Sequence, residues 1–143
     1  MVNGTAEEVL ACGAHGLHLS AARLMRLQER PLPRSFLVGA SCHHTKELRH
    51  AERIGVDFAV LGPVARTASH PGMSPLGWRG FTHISGAERQ IPTYAVGGLG
   101  PKDLPAAQQA GAWGVAMISA VWSAPDPASV IGAAIGLGKA APA

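Results

Sequence analysis

Residues 45–61 read Thr45-Lys46-Glu47-Leu48-Arg49-His50-Ala51-Glu52-Arg53-Ile54-Gly55-Val56-Asp57-Phe58-Ala59-Val60-Leu61. Leu48, Ala51 and Ile54 recur at helical spacing and fall on one side of a helix, with Thr45 in the position of an N-cap. Gly55 closes the run, because glycine takes the left-handed conformation at a helix end without a Cβ clash. A short apolar run of strand length, Ala59-Val60-Leu61, follows at once. A helix that feeds a buried strand through a glycine is the recurring half of a βαβ unit.

The same phrase recurs on both sides. Gly13-Ala14-His15-Gly16 leads into Leu17-His18-Leu19, and Gly111-Ala112-Trp113-Gly114 leads into Val115-Ala116-Met117-Ile118. Phe36–Ala40 and Thr93–Val96 are two further apolar runs. Helical stretches lie between them at Ala21–Arg30, Thr45–Ile54, Leu76–Ile84, Pro101–Ala110 and Pro127–Leu137. Met1–Gly4 reads as the end of another strand that runs directly into a helix over Thr5–Ala11. Strands that alternate with helices, and that are almost continuously apolar, indicate a parallel sheet covered by helices. No linker interrupts the series, so residues 1–143 read as a single domain with a disordered tail at 139–143. Five and a half such units are too few for a closed eight-stranded barrel, which marks the pattern as an N-terminally truncated one.

Composition excludes several function classes. Of the 143 residues, 47% are apolar and 15% charged, enough for a core and too little charge for a disordered chain. Ala128 to Gly138, the longest apolar stretch near the C-terminus, is about half a membrane span. No basic and apolar leader follows Met1, and Cys12 and Cys42 make no disulfide framework, so a cytoplasmic protein with reduced thiols is expected. The net charge is +3, but Arg23, Arg26, Arg30, Arg34, Lys46, Arg49 and Arg53 sit at helical spacing and read as solvated faces. With three Trp, one Tyr and three Phe in the chain, the basic clusters with interleaved aromatics that grip nucleic acid are missing. A small anion suits the mild positive balance better.

In parallel α/β folds, sites gather at the carboxyl ends of the strands. The residues following each run are Asn3-Gly4, then Ser20 and Arg23, then Ser41-Cys42-His43-His44, then the long segment Gly62–Pro75, then Gly97-Gly98-Leu99-Gly100, and last Ser119-Ala120. The turns at Gly97-Gly98 and Ile118-Ser119 form a candidate phosphate site, where glycine leaves backbone amides accessible to an anion. Thr67, Ser69 and His70 could hold a second anion. Ser41 and His43 share strand parity and should face the same side. No Asp or Glu follows a strand nearby to orient them, so a hydrolytic triad is not expected, and His43 reads as a proton shuttle. Cys42, His43 and His44 make a poor metal site, because neighbours point to opposite sides of a strand and no second ligand cluster exists. His15, His50 and His83 read as surface or helix-end residues. The three Trp should cover helix–sheet contacts.

Together, Gly16-Leu17-His18-Leu19, Gly39-Ala40-Ser41-Cys42-His43, Leu61-Gly62-Pro63-Val64, Thr67-Ala68-Ser69-His70-Pro71, Pro75-Leu76-Gly77-Trp78, Ala95-Val96-Gly97-Gly98-Leu99 and Gly114-Val115-Ala116-Met117-Ile118-Ser119 resemble the thiamine-phosphate synthase/TenI family. The resemblance runs in order from Asn3 to Trp122. Its nearest flavour is similar to the C-terminal domain of Nudix–thiamine-phosphate-synthase-like fusion proteins. It implies a (β/α)₈ barrel of which this chain covers the end of strand three through helix eight. It also implies thiamine biosynthesis: coupling of a thiazole phosphate to hydroxymethylpyrimidine diphosphate with release of pyrophosphate, or tautomerisation of the thiazole phosphate by proton transfer. The alternative is a non-catalytic phosphate-ligand or regulatory domain split from a Nudix fusion protein.

By the same resemblance, Asn3 contacts the pyrimidine, and Ser41 and His43 are catalytic. Thr67 and Ser69 lie near the pyrophosphate, with His70 where the family has Lys. Gly97, Gly98, Ile118 and Ser119 hold the thiazole phosphate. The family's two magnesium-binding Asp positions are Gly4 and Arg23. No tightly bound cofactor is therefore expected, and Mg²⁺ enters only with a diphosphate substrate. Exposed edge strands would favour self-association.

Overall fold

Six parallel strands lie side by side in chain order, β1 through β6, and form a curled half-barrel. They are β1 (Val2–Asn3), β2 (Gly16–Leu19), β3 (Leu37–Cys42), β4 (Phe58–Leu61), β5 (Thr93–Val96) and β6 (Val115–Ala116). The structure is a computed structural model and describes residues 1–68, 72–86 and 90–138. The expected tail at 139–143 lies outside the described residues. Between the strands run α1 (Ala6–Ala11), α2 (Ala21–Leu24), α3 (Thr45–Ile54), α4 (Gly77–Ser85), α5 (Leu104–Gln109) after a 3₁₀ turn at Pro101–Asp103, α6 (Ser119–Trp122) and α7 (Pro127–Gly138). Gly55 closes α3 at φ 75°, the left-handed cap read from the sequence. Among the described residues, no helix is long and apolar enough to cross a membrane.

The pleat divides each strand between two faces. Leu17, Leu19, Val38, Ala40, Cys42, Ala59, Leu61, Thr93 and Ala95 point outward and are almost wholly buried. All but Thr93 pack in one cluster with Val9 of α1, Leu24 of α2, Leu48, Ala51 and Ile54 of α3, Phe81 of α4 and Ala107 of α5. The alternate residues point inward. Register places Asn3, His18, Gly39 and Phe58 in one row, and Ser41, Val60 and Tyr94 in the row above it. A Cβ on Gly39 would run into the Phe58 ring, so the missing side chain is what seats that ring on the sheet. Phe58 in turn meets the Tyr94 ring edge-on at 6.1 Å and the His18 ring at 6.2 Å.

Several expectations need correction. The helix expected over Ala21–Arg30 stops at Leu24, and Arg30, six residues on, clamps the sheet. Its guanidinium donates to the carbonyl oxygens of Leu32 (3.0 Å), Phe36 (2.7 Å) and Gly55, and pairs with Asp57 at 2.7 Å. Asp57 also accepts from the Val38 amide at 2.7 Å. Partial burial works against the Asp57 carboxylate, but the Arg30 hydrogen bond, the Val38 amide and the charges of Arg30 and Arg34 outweigh it and hold its pKa below the usual value. Arg30 is thus a partly buried tie between loops and β3–β4, not part of a solvated face. At α3 the N-cap is His44, not Thr45: His44 is extended and its ring Nδ1 accepts from the Glu47 amide at 3.4 Å. Of the tryptophans, only Trp78 packs on the core, edge-on to Phe81, whereas Trp113 and Trp122 are 68% and 79% exposed.

Candidate functional site

The inward face opens at the carboxyl ends of the strands into a cleft of about 920 Å³. Asn3 from β1, Ser41 and His43 from the end of β3, Thr67 from the segment after β4, Gly97 and Gly98 after β5, and Ile118 and Ser119 after β6 all line it. These residues are far apart in sequence, and the parallel order of the strands gathers them. Ser69 and His70 lie outside the described residues.

The glycine turn owes its composition to packing. Gly97 and Gly98 have φ of 102° and 66°, which side chains rarely tolerate. The segment after β4 is zipped onto this turn by Val64 N to Val96 O at 2.8 Å and Ala65 N to Gly97 O at 3.0 Å. A Cβ at Gly97 would strike Pro63, and one at Gly98 would strike the Arg66 carbonyl. Glycine is therefore required by close backbone approach, whereas the sequence reading gave anion access as the reason. Across the cleft Ser119 opens the single-turn helix α6, whose first amides have no acceptor within the helix.

On the β2–β3 side, His18 Nε2 and Ser41 Oγ are 2.8 Å apart. Burial lowers the His18 pKa, which favours the neutral ring. His43 and Ser41 both line the cleft, as strand parity requires. His43 has an acidic partner that the search after strand ends did not find, because it sits one turn into a helix. Glu47 Oε2 accepts from the His43 amide at 2.6 Å and lies 3.2 Å from its ring Nδ1, while Oε1 lies 3.3 Å from His44 Nε2. Cys42, one residue away, faces outward into the core; burial first, then the charges of Glu47 and Glu52, push its thiol up to about 12.

Sequence reasoning missed His18, Lys102 and Asp103 on the cleft wall, whereas Ser20, read as following β2, does line it. His18 carried a signal, being the one polar residue in the apolar run Leu17-His18-Leu19. Asp103 Oδ2 accepts from the Gly100 amide at 2.8 Å, which fixes the 3₁₀ turn after the glycines. Arg23 is not on the cleft wall. Gly4 is buried, and a side chain there would meet the Glu8 carboxylate, which caps α1 by accepting from the Thr5 amide at 2.7 Å. Among the described residues, no group of three His, Cys, Asp or Glu could hold a metal ion.

Residues 1–121 match the family profile described as thiamine monophosphate synthase. The chain is 35% identical over 130 residues to the thiamine-phosphate synthase of Synechococcus sp. (strain WH7803), a match covering 90% of this chain and 36% of that protein. It is 38% identical over 129 residues to the thiamine biosynthesis bifunctional protein ThiM/ThiE of Symbiobacterium thermophilum, covering 89% of this chain and 27% of that one. Among solved structures, the thiamine phosphate pyrophosphorylase from Pyrococcus furiosus superposes with a TM-score of 0.72 at 24% identity, covering 93% of this chain and 63% of that one, a likeness of fold. The chain spans 27% to 63% of the length of curated relatives that it matches.

Proposed function

The chain belongs to the thiamine monophosphate synthase family, and from that premise we propose that its cleft binds a thiazole phosphate for thiamine-phosphate-synthase-type chemistry. The observation that carries this reading is the convergence of Asn3, Ser41, His43, Thr67, Gly97, Gly98, Ile118 and Ser119 on one cleft at the carboxyl ends of the strands. On this reading its six parallel strands, which lie in chain order, are the last six of a (β/α)₈ barrel. The phosphate sits between the Gly97-Gly98 turn and Ser119, and the ring lies over Val60, Val96 and Ala116. In the synthase reaction the thiazole phosphate is joined to hydroxymethylpyrimidine diphosphate and pyrophosphate leaves. Asn3 contacts the pyrimidine, and Thr67, Ser69 and His70 lie on the diphosphate side.

The donor set does not suit a magnesium ion held by protein alone. That ion asks for hard oxygen ligands in octahedral array. Among the described residues Asp103 is the one carboxylate on the cleft wall, and its Oδ2 already accepts from the Gly100 amide. Gly4 offers no side-chain donor, and Arg23 is not on the cleft wall. Any Mg²⁺ therefore enters with the diphosphate.

A second reading is favoured by the His43–Glu47 contact at 3.2 Å. Proton transfer within a thiazole phosphate needs only a base that removes one ring-system proton and returns it elsewhere, and His43 can do both. A non-catalytic domain split from a Nudix fusion protein is not favoured, since the fusion found among the relatives joins ThiM to ThiE.

The test is calorimetric titration with thiazole phosphate and with its dephosphorylated alcohol. The phosphate is expected to bind at least about tenfold more tightly, a difference of about 1.4 kcal/mol. Ser119→Ala should narrow the gap. Equal affinities for the two ligands would overturn the phosphate site.

A further inference from the structure

We propose that Glu47 is a positioning residue for His43: it holds the imidazole in the tautomer that carries its proton on Nδ1 and leaves Nε2 as the basic nitrogen. The proposal rests on the reading of His43 as the proton-transfer group of the cleft. Glu47 is nine-tenths buried, and its two oxygens are distributed between two consecutive histidines. Oε2 receives the His43 amide at 2.6 Å and faces the His43 Nδ1 at 3.2 Å. An ionised carboxylate only accepts hydrogen bonds, so the ring nitrogen turned toward it is the one that bears hydrogen. A neutral imidazole has one N–H, and the lone pair is then on Nε2.

Helix capping alone does not account for this geometry. A carboxylate at the third helical position needs only a backbone N–H, and the His43 amide supplies one. The ring contact is additional. The proton balance closes on one residue. Nε2 accepts a proton from the bound ring system as imidazolium forms beside the Glu47 carboxylate, and the same proton is returned to another ring position.

Long-range ¹H–¹⁵N correlation spectra of the full chain labelled at histidine nitrogens test the idea at a pH where His43 is neutral. His43→Asn assigns the signals. In the unsubstituted chain His43 is expected to show a protonated Nδ1 and an unprotonated Nε2. In Glu47→Gln, which retains an oxygen for the His43 amide, the preference should shift toward the Nε2–H form while the amide signals of 45–54 persist. His44→Asn keeps an N-cap and should leave the His43 tautomer unchanged. An Nε2–H tautomer in the unsubstituted chain would overturn the proposal even if Glu47→Gln fails to fold. So would an unchanged tautomer in Glu47→Gln, which would reduce Glu47 to a helix cap. Thiazole phosphate affinity is read separately: Glu47→Gln should keep the phosphate preference. Loss of that preference in the unsubstituted chain overturns the site reading and leaves the tautomer result standing.

Discussion

The two faces of the sheet are built from the same strands and serve opposite ends. On β4, Ala59 and Leu61 point outward and are fully buried, while Phe58 and Val60 point inward and are only half-buried. On β3, Val38, Ala40 and Cys42 are sealed under helices, while Ser41 holds a hydrogen bond to His18. The outward face is dry and aliphatic, so its free energy comes from apolar area removed from water. The inward face carries aromatic rings, hydroxyls and imidazoles, whose value lies in what they present to a ligand. A period of two thus lets one strand supply a core and a site without either compromising the other.

The comparison is broken most directly by truncating neighbours on opposite faces. Leu61→Ala should cost about 2–5 kcal/mol of unfolding free energy, the range for a fully buried leucine. Val60→Ala, one residue away, should cost about 1 kcal/mol. Urea denaturation compares them, and equal costs would erase the distinction between faces. Next comes the clamp at the foot of the strands. Arg30→Met should lose about 1.5–3 kcal/mol, the scale of hydrogen bonds to charged groups. The Asp57 pKa is held down in the folded chain, so its stabilisation is complete above the ordinary carboxylate range and fades as pH falls through the lowered folded value. Arg30→Met should flatten that acid limb in a series of denaturation curves.

A smaller effect is expected on the inward face. Burial lowers the His18 pKa, so as pH falls below 6.5 the unfolded chain takes up a proton before the folded chain does. Stability should decline from that point down to the lowered folded value, and His18→Leu should remove this decline. A histidine signal that titrates at 6.5 or above would contradict the assignment. The smallest expected effect leaves stability untouched. Cys12 is exposed and Cys42 buried, with its thiol pushed up to about 12. A thiol reagent at pH 8 should therefore modify Cys12 quickly and Cys42 only on unfolding.

The sequence shows its outward face more plainly than its inward one. Short apolar runs, three of them entered from a helix ended by glycine, located five of the strands and Met1–Gly4 the sixth, because burial under helices imposes continuous apolar character. Strand β6 is shorter than Gly114–Ile118 because Ile118 already caps α6. The residues that follow strands were legible as site candidates, since a parallel sheet directs them to one end. Glu47 was not, because its link to His43 crosses from a strand end to a helix turn, and linear inspection after strands passes over it. Arg30 escaped for a related reason. Helical spacing puts it on a polar stripe, but the helix ends six residues earlier and its partner Asp57 lies 27 positions away.

One absent methyl group sets the depth of the cleft. Phe58 settles against the sheet only because Gly39 has no side chain. Its ring lies one row beneath Ser41 and Val60, under the space that a ligand would enter. Adding the single carbon of Gly39→Ala would drive the ring upward and raise that floor, without altering any group that donates, accepts or titrates. Depth and chemistry are therefore separately adjustable here. A short ligand would still reach the hydroxyl and imidazole groups, while a longer one would be turned away by size alone.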